Sequence, residues 1–274
     1  MLTTTPVKFR RIPPPGPLAG HVRYFWSLES DLVHARPAAL GPLADGCPGI
    51  IFQPPGAGTF YEAPSKQLPA LFLYGQTLTR TEISLLGQFR TVGVCFFPHA
   101  LKSLFGFDAA GLTDTCLDVG LLSAPLVERL LHTPDPGGQI EILAGWLSVL
   151  PGKTPVPVDA ATRLALSRIT GAGGQLSLPQ LLRELKLSER SLERRFSQHV
   201  GLSPKLFARV CQFQAALSQL KNNRYARLSD VAYDNGYADQ SHFIRTFRAF
   251  AGVAPYQWQK NAHPVTGDFP ALIG

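Results

Sequence analysis

The chain has 274 residues, a formal net charge of +7 and four cysteines. Hydrophobic residues at 45% and charged residues at 16% are typical of a folded globular protein and exclude an intrinsically disordered chain. No apolar run approaches the roughly 20 residues that span a bilayer, and the start MLTTTPVKFRRIPPP lacks the apolar segment of a secretory signal, so we expect a cytoplasmic protein.

The first hundred residues predict a β-rich domain. Short apolar segments separated by Gly/Pro-rich turns are typical of a β-barrel or sandwich. We predict a domain of this kind that is cupin-like. The predicted strands are HVRYFWSL, GIIFQ, ALFLYGQ, TEISLLG and RTVGVCFF. In the first of them, alternation places Val22, Tyr24, Trp26 and Leu28 on one face, as expected of a half-buried strand.

Helical spacing begins at His99, in the segments HALKSLFG, SAPLVERLLH and GQIEILAGWLSVL. Their apolar stripes are Leu122, Leu126 and Leu130 in one helix and Ile142, Trp146 and Val149 in another. These helices either close the β-rich domain or form a dimerisation face, and the pattern favours neither.

The stretch PGKTPVPV has the extended, helix-breaking composition of a linker. The predicted organisation is a β-rich domain at 1–150, a linker at 151–158, an all-α domain at 159–263 and a tail at 264–274. Charge divides at the same place, since residues 1–155 contain 11 Lys+Arg and 11 Asp+Glu whereas residues 156–274 contain 15 and 8. This asymmetry predicts a polyanionic partner for the second half, with nucleic acid the first candidate and an anionic membrane surface the second.

One segment of the helical half occurs twice. KLSERSLERRFSQHVGLSP aligns with YADQSHFIRTFRAFAGVAP at an offset of 51 residues. Each copy predicts a helix with a capping residue, Ser188 or Asp239, and an end at Gly-x-x-Pro. Upstream, Asp159 is predicted to cap the first helix, and Ser177 with Gln180 predicts a capping box. The predicted buried stripes are Leu192, Phe196 and Val200 in the first copy and Phe243 and Phe247 in the second.

Each copy follows a shorter helix and a tight turn, which is the helix-turn-helix arrangement. The side chains predicted to project outward are Arg190, Arg194, Ser197 and Gln198 in the first copy and Ser241, Arg245 and Arg248 in the second, with Gln240 and His242 flanking. Arginine and glutamine suit base edges in the major groove. Between the copies, PKLFARVCQFQAALSQLK predicts a linker helix about 27 Å long, comparable to the roughly 34 Å between successive major-groove faces. The sequence therefore predicts two readers of double-stranded DNA on one rigid spacer.

Residues 160–261 resemble the DNA-binding domain of the AraC/XylS (arabinose-regulator) transcription factors. The resemblance is carried by the signature G-[YF]-x-D-x-S-x-F-x-R-x-F-[KR]-x-x-x-G-x-x-P, which stands here as Gly236, Tyr237, Asp239, Ser241, Phe243, Arg245, Phe247, Arg248, Gly252 and Pro255. It implies base-facing roles for Arg190, Glu193 and Arg194 and for Gln240, Ser241, His242 and Arg245. The departures are Leu182 and Lys186, where alanine and glycine are usual, and Arg227, where a Ser/Thr cap is usual.

The N-terminal half resembles a β-rich domain found fused to such regulators, through PLAGHVRYFWSLE, LADGCPGIIF and YGQ followed by VGVCFFPHALKSLFG. This resemblance implies a sensory or oligomerisation domain. We therefore predict a sequence-specific transcription regulator, not an enzyme, whose first domain binds a small-molecule effector. The candidate pocket residues are Trp26, Phe52, Tyr74 and Gln76, and RNA polymerase and a second copy of the chain are the candidate protein partners.

No cofactor or metal is predicted. Cys47, Cys95, Cys116 and Cys211 lie far apart with no C-x-x-C, which favours ordinary buried thiols, and Cys47 is the one to test for reactivity. The alternative function is a cupin-like metal-dependent enzyme fused to a DNA-binding domain. Such an enzyme needs clustered histidines, whereas His21, His34, His99 and His132 are dispersed.

Overall fold

The computed structural model describes residues 8–30, 38–40, 44–55, 61–62, 66–78, 83–85, 88–150 and 159–260. The predicted linker and C-terminal tail lie outside these ranges, as does His34. Among the helices that the structure describes, none combines the length and apolarity needed to cross a membrane.

The N-terminal part contains two antiparallel sheets. Its strands are β1 (Lys8–Ile12), β2 (Val22–Ser30), β3 (Ala38–Leu40), β4 (Gly49–Phe52), β5 (Tyr61–Glu62), β6 (Lys66–Gln67), β7 (Leu71–Tyr74), β8 (Ile83–Leu85), β9 (Phe89–Phe96) and β10 (Cys116–Asp118). One sheet has the order β1-β2-β9-β4-β7-β10 and the other β3-β8-β5-β6. The five predicted strands are present. A closed cupin-like barrel is not confirmed, because the described edges β1 and β10 of the larger sheet do not pair with each other.

Both faces of the larger sheet are buried, so the prediction of a half-buried β2 is wrong. Tyr24, Trp26 and Leu28 belong to one apolar cluster, whereas Val22 and Phe25 belong to the cluster on the other face. Val22 leaves the predicted stripe because the pairing of β2 with β9 shifts register between Val22 and Tyr24. A strand covered on both sides needs apolar residues at consecutive positions, which masks its alternation.

Three helices follow, namely α1 (Ala100–Phe105), α2 (Ala124–Leu131) and α3 (Pro136–Val149). Leu126 and Leu130 are buried as predicted, but Leu122 precedes α2 and is 48% exposed. The buried face of α3 contains Gln139, Ile140, Leu143 and Leu147. The predicted stripe of Ile142, Trp146 and Val149 lies on its more exposed side, with Val149 at 56% exposure.

The C-terminal part is helical throughout its described length. Its helices are α4 (Ala160–Gly171), α5 (Leu178–Leu185), α6 (Glu189–His199), α7 (Pro204–Lys221), α8 (Leu228–Asp234), α9 (Gln240–Ala251) and α10 (Pro255–Lys260). The two short-helix, turn, longer-helix units are therefore α5–α6 and α8–α9. The linker helix α7 coincides with the predicted segment and has 18 residues.

Side-chain caps fix the start of three of these helices where the sequence places them. Asp159 accepts a hydrogen bond from the Thr162 backbone N–H, Ser188 from Ser191 and Asp239 from His242. Such caps satisfy backbone donors that have no partner within the helix. Ser177 does occupy the N-cap position of α5, but its side chain makes no capping hydrogen bond, so the predicted capping box does not form.

Candidate nucleic-acid interface

Helix α6 divides into a buried and an exposed side. Leu192, Phe196 and Val200 are fully buried, and Phe196 packs edge-on against Phe207 of α7 with ring centroids 6.1 Å apart. The exposed residues are Arg190, Glu193, Arg194, Ser197 and Gln198. The apolar stripe thus seats the helix and leaves its polar side open to solvent.

Helix α9 repeats this division. Phe243 and Phe247 are fully buried, and Phe247 lies 5.2 Å from Phe213 of α7 between ring centroids. The exposed residues are Gln240, Ser241, Arg245 and Arg248, while His242 is half-buried and stacks edge-on against Tyr237. The buried stripes of both predicted recognition helices are confirmed.

Arg195 shows that an arginine on α6 can serve the fold instead of the exposed surface. It pairs with Asp159, the cap of α4, and its side chain is 31% exposed. The hydrogen bonds of Thr162 and Arg195 outweigh burial and lower the pKa of Asp159. Arg195 therefore ties α6 to the start of the helical domain.

The turns of the two units differ in the residue that adopts a left-handed backbone. Gly236 has φ of +70° after α8, whereas Lys186 has φ of +52° after α5. The departure from glycine at residue 186 is thus accommodated at the cost of some strain. The missing Ser/Thr cap at Arg227 is partly replaced, because the Asp230 carboxylate accepts a hydrogen bond from the Arg227 backbone N–H at 2.7 Å.

The predicted pocket residues do not all share one face of the large sheet. Trp26 and Tyr74 pack with the cluster that includes the helical domain, and Gln76 is buried nearby, donating to the Gly46 carbonyl oxygen at 2.9 Å. Phe52 belongs to the cluster on the opposite face, so its assignment to the same pocket is wrong. Successive side chains of β4 alternate between faces, and Ile51 points to the face of Trp26 instead.

A buried polar group lies on the face shared by Trp26 and Tyr74. Ligand atoms of Asp45, Cys47 and Cys95 all lie within 4.8 Å of one another. The sequence-based expectation that no cysteines cluster is therefore wrong, because β4 and β9 pair and bring the loop before β4 next to Cys95. Of the four cysteines, Cys47, Cys95 and Cys211 are buried, as predicted.

Burial dominates the electrostatics of this group. It raises the pKa of Asp45 and of Cys47 well above their ordinary values, and it also raises the pKa of Tyr24, whose neighbour is Cys95. The Arg23 guanidinium donates to the Cys47 sulfur at 3.3 Å. Cys47 is consequently a buried, guanidinium-paired thiol and not an exposed reactive one.

Two of the histidines considered for a metal enzyme, His21 and His99, contact groups outside any metal-ligand cluster of the described residues. His99 approaches the Gly20 carbonyl oxygen at 3.2 Å and His21 approaches Ser103 Oγ at 3.0 Å. Burial lowers the pKa of His99 to about 4. Within the described ranges, the group of metal-ligand type contains no histidine and consists of Asp45, Cys47 and Cys95.

The β-rich part packs directly against the first helix-turn-helix unit and α7. Thr113 Oγ1 donates to the Gly201 carbonyl oxygen at 2.9 Å, at the C-terminal end of α6. The Gln214 amide of α7 donates to the Ala44 carbonyl oxygen. One apolar cluster contains residues of both parts, including Trp26 and Phe72 from the sheet and Phe207 and Val210 from α7. The sheet face with the buried polar group is thus covered by the helical part.

Each part of the chain matches the model of a known domain. Residues 181–261 match the model of a helix-turn-helix domain, and residues 10–118 match a domain of unknown function (DUF6597). An uncharacterized HTH-type transcriptional regulator of Haemophilus influenzae is 30% identical over 84 residues, which are 31% of this chain and 28% of that protein. The chain thus matches less than a third of the length of this relative.

Several solved structures resemble the chain at sequence identities below 25%. ToxT from Vibrio cholerae is 15% identical with a TM-score of 0.47, and the likeness covers 86% of this chain and 97% of that one. A ToxT structure with unsaturated fatty acid bound has a TM-score of 0.42 at 16% identity, covering 86% and 94%. The C-terminal domain of AraT, a response regulator from Geobacillus stearothermophilus, is 22% identical with a TM-score of 0.35, covering 38% and 88%.

Proposed function

We propose that this chain, which joins a DUF6597 domain to a helix-turn-helix domain of the AraC/XylS type, is a sequence-specific DNA-binding transcription regulator. The observation that carries the proposal is the pair of matched units, each with a fully buried aromatic stripe and an exposed arginine-bearing side. Such a division buries the aromatic side chains and presents to solvent the polar side chains that base edges require.

Two recognition helices on one spacer support reading of two adjacent major-groove segments. Helix α7 has 18 residues, which corresponds to about 27 Å. Both units pack on it through aromatic contacts, Phe196 on Phe207 and Phe247 on Phe213. The proposed base-facing or phosphate-facing residues are Arg190, Glu193, Arg194, Gln240, Ser241, His242, Arg245 and Arg248.

The N-terminal domain is proposed to control DNA binding through a bound ligand. Its support is the direct packing of one sheet face on α7 and of residues 109–113 on the end of α6. A ligand that shifts this sheet face would move the first recognition helix, α6, through the contact of residues 109–113 with its end. The proposed domain limits remain 1–150 and 159–263, and a sandwich formed by the two sheets remains the proposed architecture.

The remaining partners follow from the same role. We place the protein in the cytoplasm, where it would meet double-stranded DNA and RNA polymerase. A second copy of the chain is a candidate partner for the exposed apolar residues around the N-terminal helices, namely Leu122 just before α2, which is 48% exposed, and Val149 at the end of α3, which is 56% exposed.

The test is a selection of genomic DNA fragments by the purified full-length protein. Sequencing of the retained fragments should give a bipartite motif whose two halves lie about one helical turn apart. The matched control is the double variant Arg194→Ala/Arg245→Ala, which should retain DNA without enriching the motif. No enrichment by the parent protein, at any salt concentration that permits binding, would refute sequence-specific recognition.

A further inference from the structure

The buried group of Asp45, Cys47 and Cys95 has the composition of a metal site. Asp45 is 7% exposed and both cysteines are fully buried. Two sulfur atoms and one carboxylate oxygen suit Zn²⁺ and similar thiophilic cations, whereas Mg²⁺ and Ca²⁺ take oxygen ligands. In a tetrahedral zinc site the ligand atoms are about 3.5 to 3.8 Å apart, so a group whose ligand atoms lie within 4.8 Å needs only a small contraction.

Charge balance favours a divalent cation here. Three anionic ligands buried together would repel one another. A cation of charge +2 together with the Arg23 guanidinium, which donates to Cys47 at 3.3 Å, offsets three negative charges. A neutral cluster of this kind can be buried without an uncompensated charge.

Two buried glutamine amides that bind the backbone on either side of Asp45 provide an independent observation. Gln76 and Gln214 are each 1% exposed, and their Oε1 atoms have no hydrogen-bond partner among the described residues. Their amide nitrogens bind the carbonyl oxygens of Gly46 and Ala44, the two neighbours of Asp45 in sequence. An unpaired buried acceptor is costly, and a metal-bound water is a strong donor that would satisfy one.

We propose that Asp45, Cys47 and Cys95 bind a thiophilic divalent metal ion, and that this ion is the ligand through which the N-terminal domain controls DNA binding. The second half of this inference rests on the proposed function. Gln214 lies on α7, between the two helix-turn-helix units, and holds the loop that carries Asp45 and Cys47. Metal binding contracts this loop, and the contraction is transmitted to α7.

Metal binding is measured first and without DNA. The reduced, chelator-treated full-length protein is titrated with Co²⁺, followed by thiolate-to-metal charge-transfer absorption, and the Co²⁺ is then displaced by Zn²⁺. We expect one ion per chain. Since loss of an outer partner alone weakens metal binding about 10- to 100-fold, Cys47→Ser and Cys95→Ser should weaken it by more than about 100-fold. Cys116→Ser, which changes a half-buried cysteine outside the group, is the matched control and should bind like the parent.

Further outcomes decide the rest. The proposal is overturned if the parent protein binds no ion or if Cys95→Ser binds as the parent does. It is also overturned if added Zn²⁺ does not slow the oxidation of Cys47 and Cys95 by peroxide. If a variant fails to fold, the thermal midpoint of the parent protein decides whether the metal binds. Zn²⁺ should raise this midpoint, and an unchanged midpoint overturns the proposal. Affinity for the selected DNA should then change at least about fivefold with Zn²⁺. Metal binding without that change refutes the control role, whereas failure of DNA selection refutes the proposed function and leaves the metal titration intact.

Discussion

Arg194 and Arg245 occupy equivalent positions in the two units, 51 residues apart, and both are exposed. A guanidinium that contacts guanine O6 and N7 together contributes about 1 to 3 kcal/mol of discrimination. We therefore expect Arg194→Ala or Arg245→Ala to cost that much on the selected site and to relax preference at one base pair. Fluorescence anisotropy on site variants measures this. Arg129→Ala, on α2, controls for the lost charge. A uniform loss across all sequences would instead assign a phosphate contact.

The backbone conformation of Lys186 supports a second prediction about a single residue. Its φ of +52° places a β-carbon in the left-handed region, which costs a non-glycine residue roughly 1 to 2 kcal/mol, while glycine loses some of that advantage through its freer unfolded state. Lys186→Gly should therefore raise the free energy of unfolding by about 0.5 to 1 kcal/mol, as measured by urea denaturation. Lys186→Ala retains the β-carbon and should give no gain. An equal gain in both variants would locate the effect in the lysine charge.

At the level of elements, the aromatic stripe of α9 is the feature on which the second unit depends. Phe247 is fully buried and contacts Phe213, Phe243 and Trp258 at centroid distances of 5.2, 5.7 and 6.2 Å. Phe247→Ala should destabilise the helical domain by about 3 to 5 kcal/mol, as measured by denaturant unfolding. Phe247→Leu keeps most of the volume and should cost clearly less. A Phe247→Ala protein that unfolds like the parent would contradict this account of the packing.

The helical elements were predictable because their signals are local. Caps such as Ser188 and Asp239, the three- to four-residue spacing of Leu192 and Phe196, and a terminal glycine all lie within one helix. The sheet was less predictable because both of its faces are buried, so Phe25 obscured the alternation of Tyr24 and Trp26. The same local reasoning placed Phe52 with Trp26, although strand pairing puts them on opposite faces.

Across the whole molecule, contacts between residues far apart in the chain, within and between domains, had no sequence signal. Asp45 and Cys47 are distant from Cys95 in the chain, and only the pairing of β4 with β9 brings them together. Likewise, nothing in the sequence of α7 indicates that Gln214 binds the Ala44 carbonyl. Such contacts depend on sheet register and domain packing, which single-sequence periodicity does not encode. The buried and exposed sides of the two proposed recognition helices were therefore predictable from the sequence, and the surface proposed to control them was not.

Gly201 lies where the β-rich domain contacts the end of α6, and its substitution tests whether that contact positions α6. It has φ of +87°, and a β-carbon added there would lie 2.8 Å from both the Ala109 carbonyl oxygen and Thr113 Oγ1. Gly252 ends α9 at the equivalent position with φ of +73°. Gly252→Ala should thus show backbone strain, about 1 to 2 kcal/mol, whereas Gly201→Ala should add the loss of the interdomain contact. Backbone hydrogen exchange is expected to accelerate at residues 109–113 in Gly201→Ala and not in Gly252→Ala. Equal exchange in the two variants would mean that the β-rich domain contributes nothing to the position of α6, and the proposed route of control would be lost with it.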